Sequence, residues 1–114
     1  MTRVPVTVAR ARVLIPFWAR AQVLRPREIL VRHGVELDAR LLAHELAHVV
    51  QRERLGRWFD LVYAWQWATV GFRYSRIPLE VEARAAEVNR WYLAWASDVM
   101  REVERAGNPT IDEN

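Results

Sequence analysis

The chain has 114 residues, 52% of them hydrophobic, a formal net charge of +3 and no cysteine. Such a length and composition suit one globular domain, residues 1–114, and argue against disorder. Without cysteine there is no disulfide framework, thiolate metal site or cysteine nucleophile.

Residues 1–20 read as an extended arm or edge strand. From Val4 to Ile15 apolar residues alternate with arginines, and Pro5 and Pro16 bracket the run, which is the pattern of a half-exposed strand. Residues 1–27 hold six arginines and no acid, whereas residues 28–114 hold eleven arginines and all fourteen acids. A basic arm suggests nucleic acid or an anionic surface. The alternation favours a strand instead, so no nucleic-acid partner is expected. The arm also lacks the apolar core and small-residue cleavage site of a secretory leader. With no leader and no cysteine, the chain is compatible with a cytoplasmic address.

Gln22–Leu24 and Glu28–Arg32 flank Arg25-Pro26-Arg27, suggesting a bent strand or a short hairpin that ends at His33-Gly34. Asp38 is a candidate N-cap for a helix running through LLAHELAHVVQRERL to about Leu55, with Gly56 as its stop. Residues 57–72 form a tryptophan-rich apolar segment, read as a second helix ending near Gly71. Its most apolar part, residues 61–72, falls short of the roughly 20 residues that span a bilayer, so a soluble protein is expected. Tyr74–Ile77 is a connection, and Pro78 suits the first turn of a helix. From there one long helix is expected to about Ala106, with Val81, Ala85, Val88, Tyr92, Trp95, Val99 and Val103 as its buried stripe. Trp58, Trp65, Trp67, Trp91 and Trp95 are expected mostly in the core, and Trp18 in an exposed patch. Gly107-Asn108-Pro109 ends the helix, leaving residues 107–114 as a polar tail. The predicted class is α+β, with a small antiparallel or mixed N-terminal sheet packed on three helices.

The third of these elements carries the chemistry. Residues 44–48 read HELAH, and only three histidines occur in the chain. Positions four apart share one helix face, so His44 and His48 can aim ring nitrogens at one zinc ion. Glu45, offset by one position, can reach the side where water binds and act as general base without being a ligand. A helix that happens to carry two exposed histidines is the bland alternative. Against it, Leu41, Leu42, Leu46, Ala47, Val49 and Val50 make the surroundings apolar, and a His-Glu-His set buried there needs partners. A catalytic zinc takes three protein ligands and keeps one open position. No later histidine exists, so a carboxylate from PLEVEARAAE must serve. Glu80 is the first candidate and Glu82 the second, with Glu87 also within that run.

LLAHELAHVVQ, followed by Tyr74, Pro78 and PLEVEARAAE, resembles the gluzincin metallopeptidases. Within that family it is most similar to the single-domain minigluzincins and to a related small domain of bacterial toxin-delivery proteins. The resemblance covers roughly residues 20–100. It implies zinc held by His44, His48 and Glu80, Glu45 as base, and an endopeptidase acting on a peptide or protein substrate. It also implies that an extended substrate pairs with an edge strand, here Glu28–Arg32. Many gluzincins carry an aspartate four residues after the ligand glutamate to orient a histidine. This chain has Arg84 there, which cannot accept that bond; Glu87 or a backbone carbonyl is the substitute. Tyr74 is a candidate donor to the developing oxyanion, with an ordinary packed aromatic as the alternative. His33 is a weaker candidate for that role. Latency through a terminal segment is implied too. Either the N-terminal residues 1–16 pair with the edge strand, or Asp112 or Glu113 of the tail reaches the metal. A metal-holding interaction module without turnover is the rival function.

Overall fold

The computed structural model describes residues 3–12, 14, 20–25 and 27–106. Among them β1 (Thr7–Ala11), β2 (Ala21–Arg25) and β3 (Glu28–Arg32) form a mixed three-stranded sheet in the order β1-β3-β2. β2 and β3 are the antiparallel hairpin that the sequence suggests, with an irregular register between Val23 and Arg25. β1 runs parallel to β3, from Thr7 opposite Glu28 to Ala11 opposite Arg32.

Glu28–Arg32, expected at the sheet edge, is therefore the middle strand. Ile29, Leu30 and Val31 are all buried, and a continuous apolar run of this kind marks a strand covered on both faces. Ile29 and Val31 face the main core, while Leu30 packs with Ala9, Ala11 and Leu14 on the other side. The basic arm is partly absorbed by the fold. Arg10 donates to the carbonyls of Arg32 and Val35, Arg27 pairs with Glu53 at 2.7 Å, and Arg3 pairs with Asp98 at 2.6 Å.

Helix α1 (Ala39–Leu55) starts where Asp38 accepts a hydrogen bond from the Leu41 amide at 2.8 Å, and ends at Gly56, whose φ of 58° lies in the left-handed region. Its Leu42, Leu46 and Val49 are completely buried between the sheet and the last helix. Each such side chain contributes roughly 1.5–3 kcal/mol of burial. α1 is thereby held rigidly at the centre of the molecule, and its histidines with it.

A short 3-10 turn (Gly56–Trp58) leads into α2 (Phe59–Thr69), which buries only Phe59. Trp58, Trp65 and Trp67 are exposed, Trp65 by 70%, whereas Trp95 is in the core and Trp91 is partly buried. The expectation of a mostly buried tryptophan set thus fails for this helix. Its apolar residues run around the whole circumference, and only one side meets the protein. Trp18 lies outside the described residues.

The long C-terminal helix is in fact two helices, α3 (Pro78–Ala86) and α4 (Arg90–Ala106). Between them Asn89 turns the chain, its side-chain oxygen accepting from the amides of Trp91 at 2.9 Å and Tyr92 at 3.2 Å. The break rotates the helical phase. Tyr92, Trp95, Val99 and Val103 are buried as expected, but Val81, Ala85 and Val88 are exposed. α3 instead buries Leu79, Glu80, Ala83 and Ala86. That phase turns Glu80 inward, toward α1.

Candidate metal centre

His44 and His48 stand one above the other on α1, their rings edge to face with centroids 5.1 Å apart. Pro78 opens α3 and places Glu80 in its first turn, where the side chain is only 2% exposed. The Glu80 carboxylate sits between the histidines: Oε1 is 3.0 Å from His44 Nε2, and Oε2 is 3.1 Å from His48 Nε2. One ligand atom from each of the three residues lies within 4.8 Å of the others. Donors around one tetrahedral zinc, at about 2.0–2.1 Å from the ion, are themselves about 3.3 Å apart. The two nitrogens and one oxygen therefore form a group that could hold a metal ion.

Each donor is fixed from behind. His44 Nδ1 is 2.9 Å from Glu87 Oε2, and His48 Nδ1 is 2.8 Å from Gln51 Oε1. The orientation of the Gln51 amide is not arbitrary, because its nitrogen donates to Leu79 O at 2.9 Å and to Glu82 Oε1 at 2.8 Å. Its oxygen must then face His48, so His48 Nδ1 carries a proton; Nε2, which faces Glu80, would give up its own proton and present a lone pair if a metal bound. Tyr63 completes the set, its hydroxyl donating to Glu80 Oε2 at 2.7 Å. Partners of this kind set ligand tautomer and basicity.

The charges reinforce one another. Burial opposes a proton on His44, but Glu80, Glu45 and Glu87 outweigh it and raise its pKa to about 9. His48 is raised as well: burial and His44 oppose the shift, and Glu80 and then Glu45 outweigh them. Burial alone would raise Glu80; hydrogen bonds from the two histidines hold it far below the usual carboxylate range. Glu45 is pushed up by burial, against the pull of the histidines. Burial and Glu80 push the Tyr63 phenol far up, so it acts as a donor, and burial takes Tyr74 to about 12.

Glu45, His48, Glu80, Tyr63 and Tyr74 line one open cavity of about 640 Å³. Two other residues considered from sequence are placed elsewhere. Glu82 is exposed and holds Gln51 and Arg54 rather than joining the donor set. His33 is exposed beyond the end of β3 and is not part of the cavity wall. Arg84 donates to the Ser75 carbonyl, tying down the 3-10 turn (Tyr74–Arg76) that carries Tyr74. Glu87 takes the orienting position, one of the two substitutes that the sequence left open. Gln51 and Tyr63 were not foreseen. Gln51 had a signal, a polar residue one helical turn after His48 on an apolar face. Tyr63 had none among so many aromatic neighbours.

The sheet edge facing this cavity is β2, through Ala21, Gln22 and Val23, and not Glu28–Arg32. Thr7–Ala11 is a structural strand on the far side of β3, so this part of the arm does not lie in the cavity. Asp112 and Glu113 fall outside the described residues. No helix of the described residues is long and apolar enough to cross a membrane. Compared with family models, with curated proteins and with solved structures, the chain matches none.

Proposed function

We propose that this chain is a zinc-dependent endopeptidase of the gluzincin type. The observation that carries the reading is the convergence of His44, His48 and Glu80, with His48, Glu80 and Glu45 on the wall of a cavity bordered by an edge strand. Two nitrogens and one carboxylate, with room beside them, are the donor set of a catalytic rather than a closed structural site. Bound zinc would supply Lewis acidity, polarising a carbonyl and acidifying water.

The chain's own residues do the rest. The β2 edge pairs with an extended peptide and presents one peptide bond to the donor cluster. Glu45 accepts the proton of the attacking water as the new C–O bond forms, then delivers it to the leaving amine as the C–N bond breaks. Burial raises the Glu45 pKa and so suits it to both halves of that transfer. The Tyr74 hydroxyl, still protonated at neutral pH, donates to the developing oxyanion. Gln51, Glu87 and Tyr63 hold the ligands.

The rival reading, a metal-holding interaction module, draws on the exposed Trp58 in the turn before α2 and on Leu61 and Trp65 of α2. Metal content and peptide-library cleavage, measured together on the wild type, Glu45→Gln, Glu80→Ala and Glu82→Ala, separate the two. The peptidase reading expects about one zinc per chain, cleavage by the wild type, and a Glu45→Gln variant that keeps zinc but does not cleave. It also expects Glu80→Ala to lose zinc and Glu82→Ala to retain it. A zinc-loaded wild type that cleaves nothing, or a Glu45→Gln variant that still cleaves, overturns it.

A further inference from the structure

His44, His48 and Arg52 recur every four residues along α1, so Arg52 continues the face that carries the donor cluster. One helical turn carries it about 6 Å beyond His48, roughly two residues of an extended peptide. Its side chain is only 17% exposed and forms part of the cavity wall. The guanidinium carbon sits over the Phe59 ring, 4.3 Å from its centroid. Nε is buried with no hydrogen-bond partner among the described residues. A buried guanidinium donor left unpaired is costly. Among the described residues the only carboxylate it meets is Asp60, 3.2 Å from Nη2 and itself 81% exposed. That pairing is weak because its acid is solvated. Much of the remaining wall is aromatic, with Tyr63, Trp67 and Phe72. Phe72 is the one described non-glycine residue with positive φ, at 61°, and its ring meets Trp67 edge to face.

We infer that Arg52 is a specificity determinant, receiving a carboxylate of the peptide about two residues from the bond presented to His44, His48 and Glu80. This rests on the peptidase reading and extends it to a substrate class: peptides carrying an acidic group close to the cleavage point. The incoming carboxylate displaces Asp60 and takes the planar, two-pronged contact for which arginine is suited. An acidic side chain and a free C-terminus offer the same chemistry, and the test distinguishes them.

The probes are pairs of peptides that differ by Glu against Gln at each position around a central bond, and pairs that differ by C-terminal acid against amide. Equilibrium binding is measured on zinc-loaded Glu45→Gln protein, alone and combined with Arg52→Gln or Asp60→Asn, and cleavage is measured on the zinc-loaded wild type. One acid member is expected to bind roughly tenfold more tightly than its neutral twin. Arg52→Gln should abolish that preference while leaving neutral peptides within about twofold. Asp60→Asn, at an exposed position, should widen the preference and decides the matter if Arg52→Gln does not fold. A preference in the side-chain pair identifies an acidic residue, and one in the terminal pair identifies the C-terminus. Equal binding within every pair, a preference that survives Arg52→Gln, or no binding of any peptide overturns the inference. Cleavage without charge preference leaves the peptidase reading standing and removes Arg52 from it. Arg52-dependent binding without cleavage does the reverse.

Discussion

Gln51 accepts a hydrogen bond from His48 at 2.8 Å while donating to Leu79 O and Glu82 Oε1. A completely buried amide three residues after a histidine thereby fixes which ring nitrogen faces the donor cluster. Replacing Gln51 by leucine keeps the volume approximately and removes the acceptor. We expect zinc affinity to fall about 10–100-fold, the range seen when such supporting partners are lost. Competition with a chromogenic chelator measures it. Unchanged affinity in a folded variant would mean that His48 needs no help to hold its tautomer.

Glu87 and Arg84 should separate in the same assay. Glu87 is 2.9 Å from His44 Nδ1, so Glu87→Ala is expected to weaken zinc binding about tenfold. Arg84, one turn after Glu80 on α3, donates to the Ser75 carbonyl and, among the described residues, makes no hydrogen bond to the donors. Arg84→Ala should leave zinc affinity within about twofold and act instead on the turn that holds Tyr74. If Arg84→Ala were the variant that lost metal, the orienting role would belong to the position where gluzincins usually place an acid.

The metal-free protein should lose stability as pH rises. His44 moves from an ordinary 6.5 to about 9 on folding, so its contribution is complete below pH 6.5 and disappears on the way to about 9. His48, also raised, acts in the same direction, and Glu45, raised from 4.5 by burial, begins to act lower in the range. Glu80 is depressed, so its contribution is present above pH 4.5 and is lost only as pH falls toward its folded value. Zinc competes with protons for the histidines, so zinc-loaded protein should gain stability over the same rise. Urea midpoints between pH 5 and 9.5, with zinc and with chelator, should diverge. Parallel curves would show that His44 is not held as an imidazolium by Glu80 and Glu87.

Much of this site is legible in the sequence because helices convert spacing into position. The His44–His48 step, the Asp38 cap and the Gly56 stop are local facts, and Pro78 announces the helix that delivers Glu80. What is not legible is longer in range. The pairing order of the strands depends on contacts between segments. Even so, the unbroken Ile29-Leu30-Val31 run is a sign of a central strand that alternation-based reading passes over. The helix break at Asn89 was hidden because Val81, Ala85 and Val88 continue the period of Tyr92 and Trp95 without sharing their face. Asn89 as a cap was the competing signal. The exposure of Trp58, Trp65 and Trp67 could not be read, since an all-round apolar helix does not say which side meets the protein.

Tyr63 and Tyr74 pack with ring centroids 6.4 Å apart at the cavity wall, yet they should fail differently when mutated. Tyr63 donates to Glu80 Oε2 at 2.7 Å, the same oxygen that approaches His48. Tyr63→Phe leaves that buried carboxylate with one partner fewer, so the donor cluster itself is expected to loosen. Zinc affinity should fall about tenfold, with activity recovered at higher zinc. Tyr74 sits on a turn tied to Arg84, outside the Gln51 and Glu87 supports, and its hydroxyl stays protonated to about pH 12. On the peptidase reading Tyr74 would donate to the oxyanion only in the transition state, so Tyr74→Phe should lower kcat about 10²–10³-fold while KM and zinc content stay the same. Metal titration and steady-state kinetics on the two single variants distinguish these effects. A Tyr74→Phe enzyme with full kcat returns Tyr74 to the role of a packed aromatic. A Tyr63→Phe enzyme whose loss of rate persists at saturating zinc would make Tyr63 the donor instead.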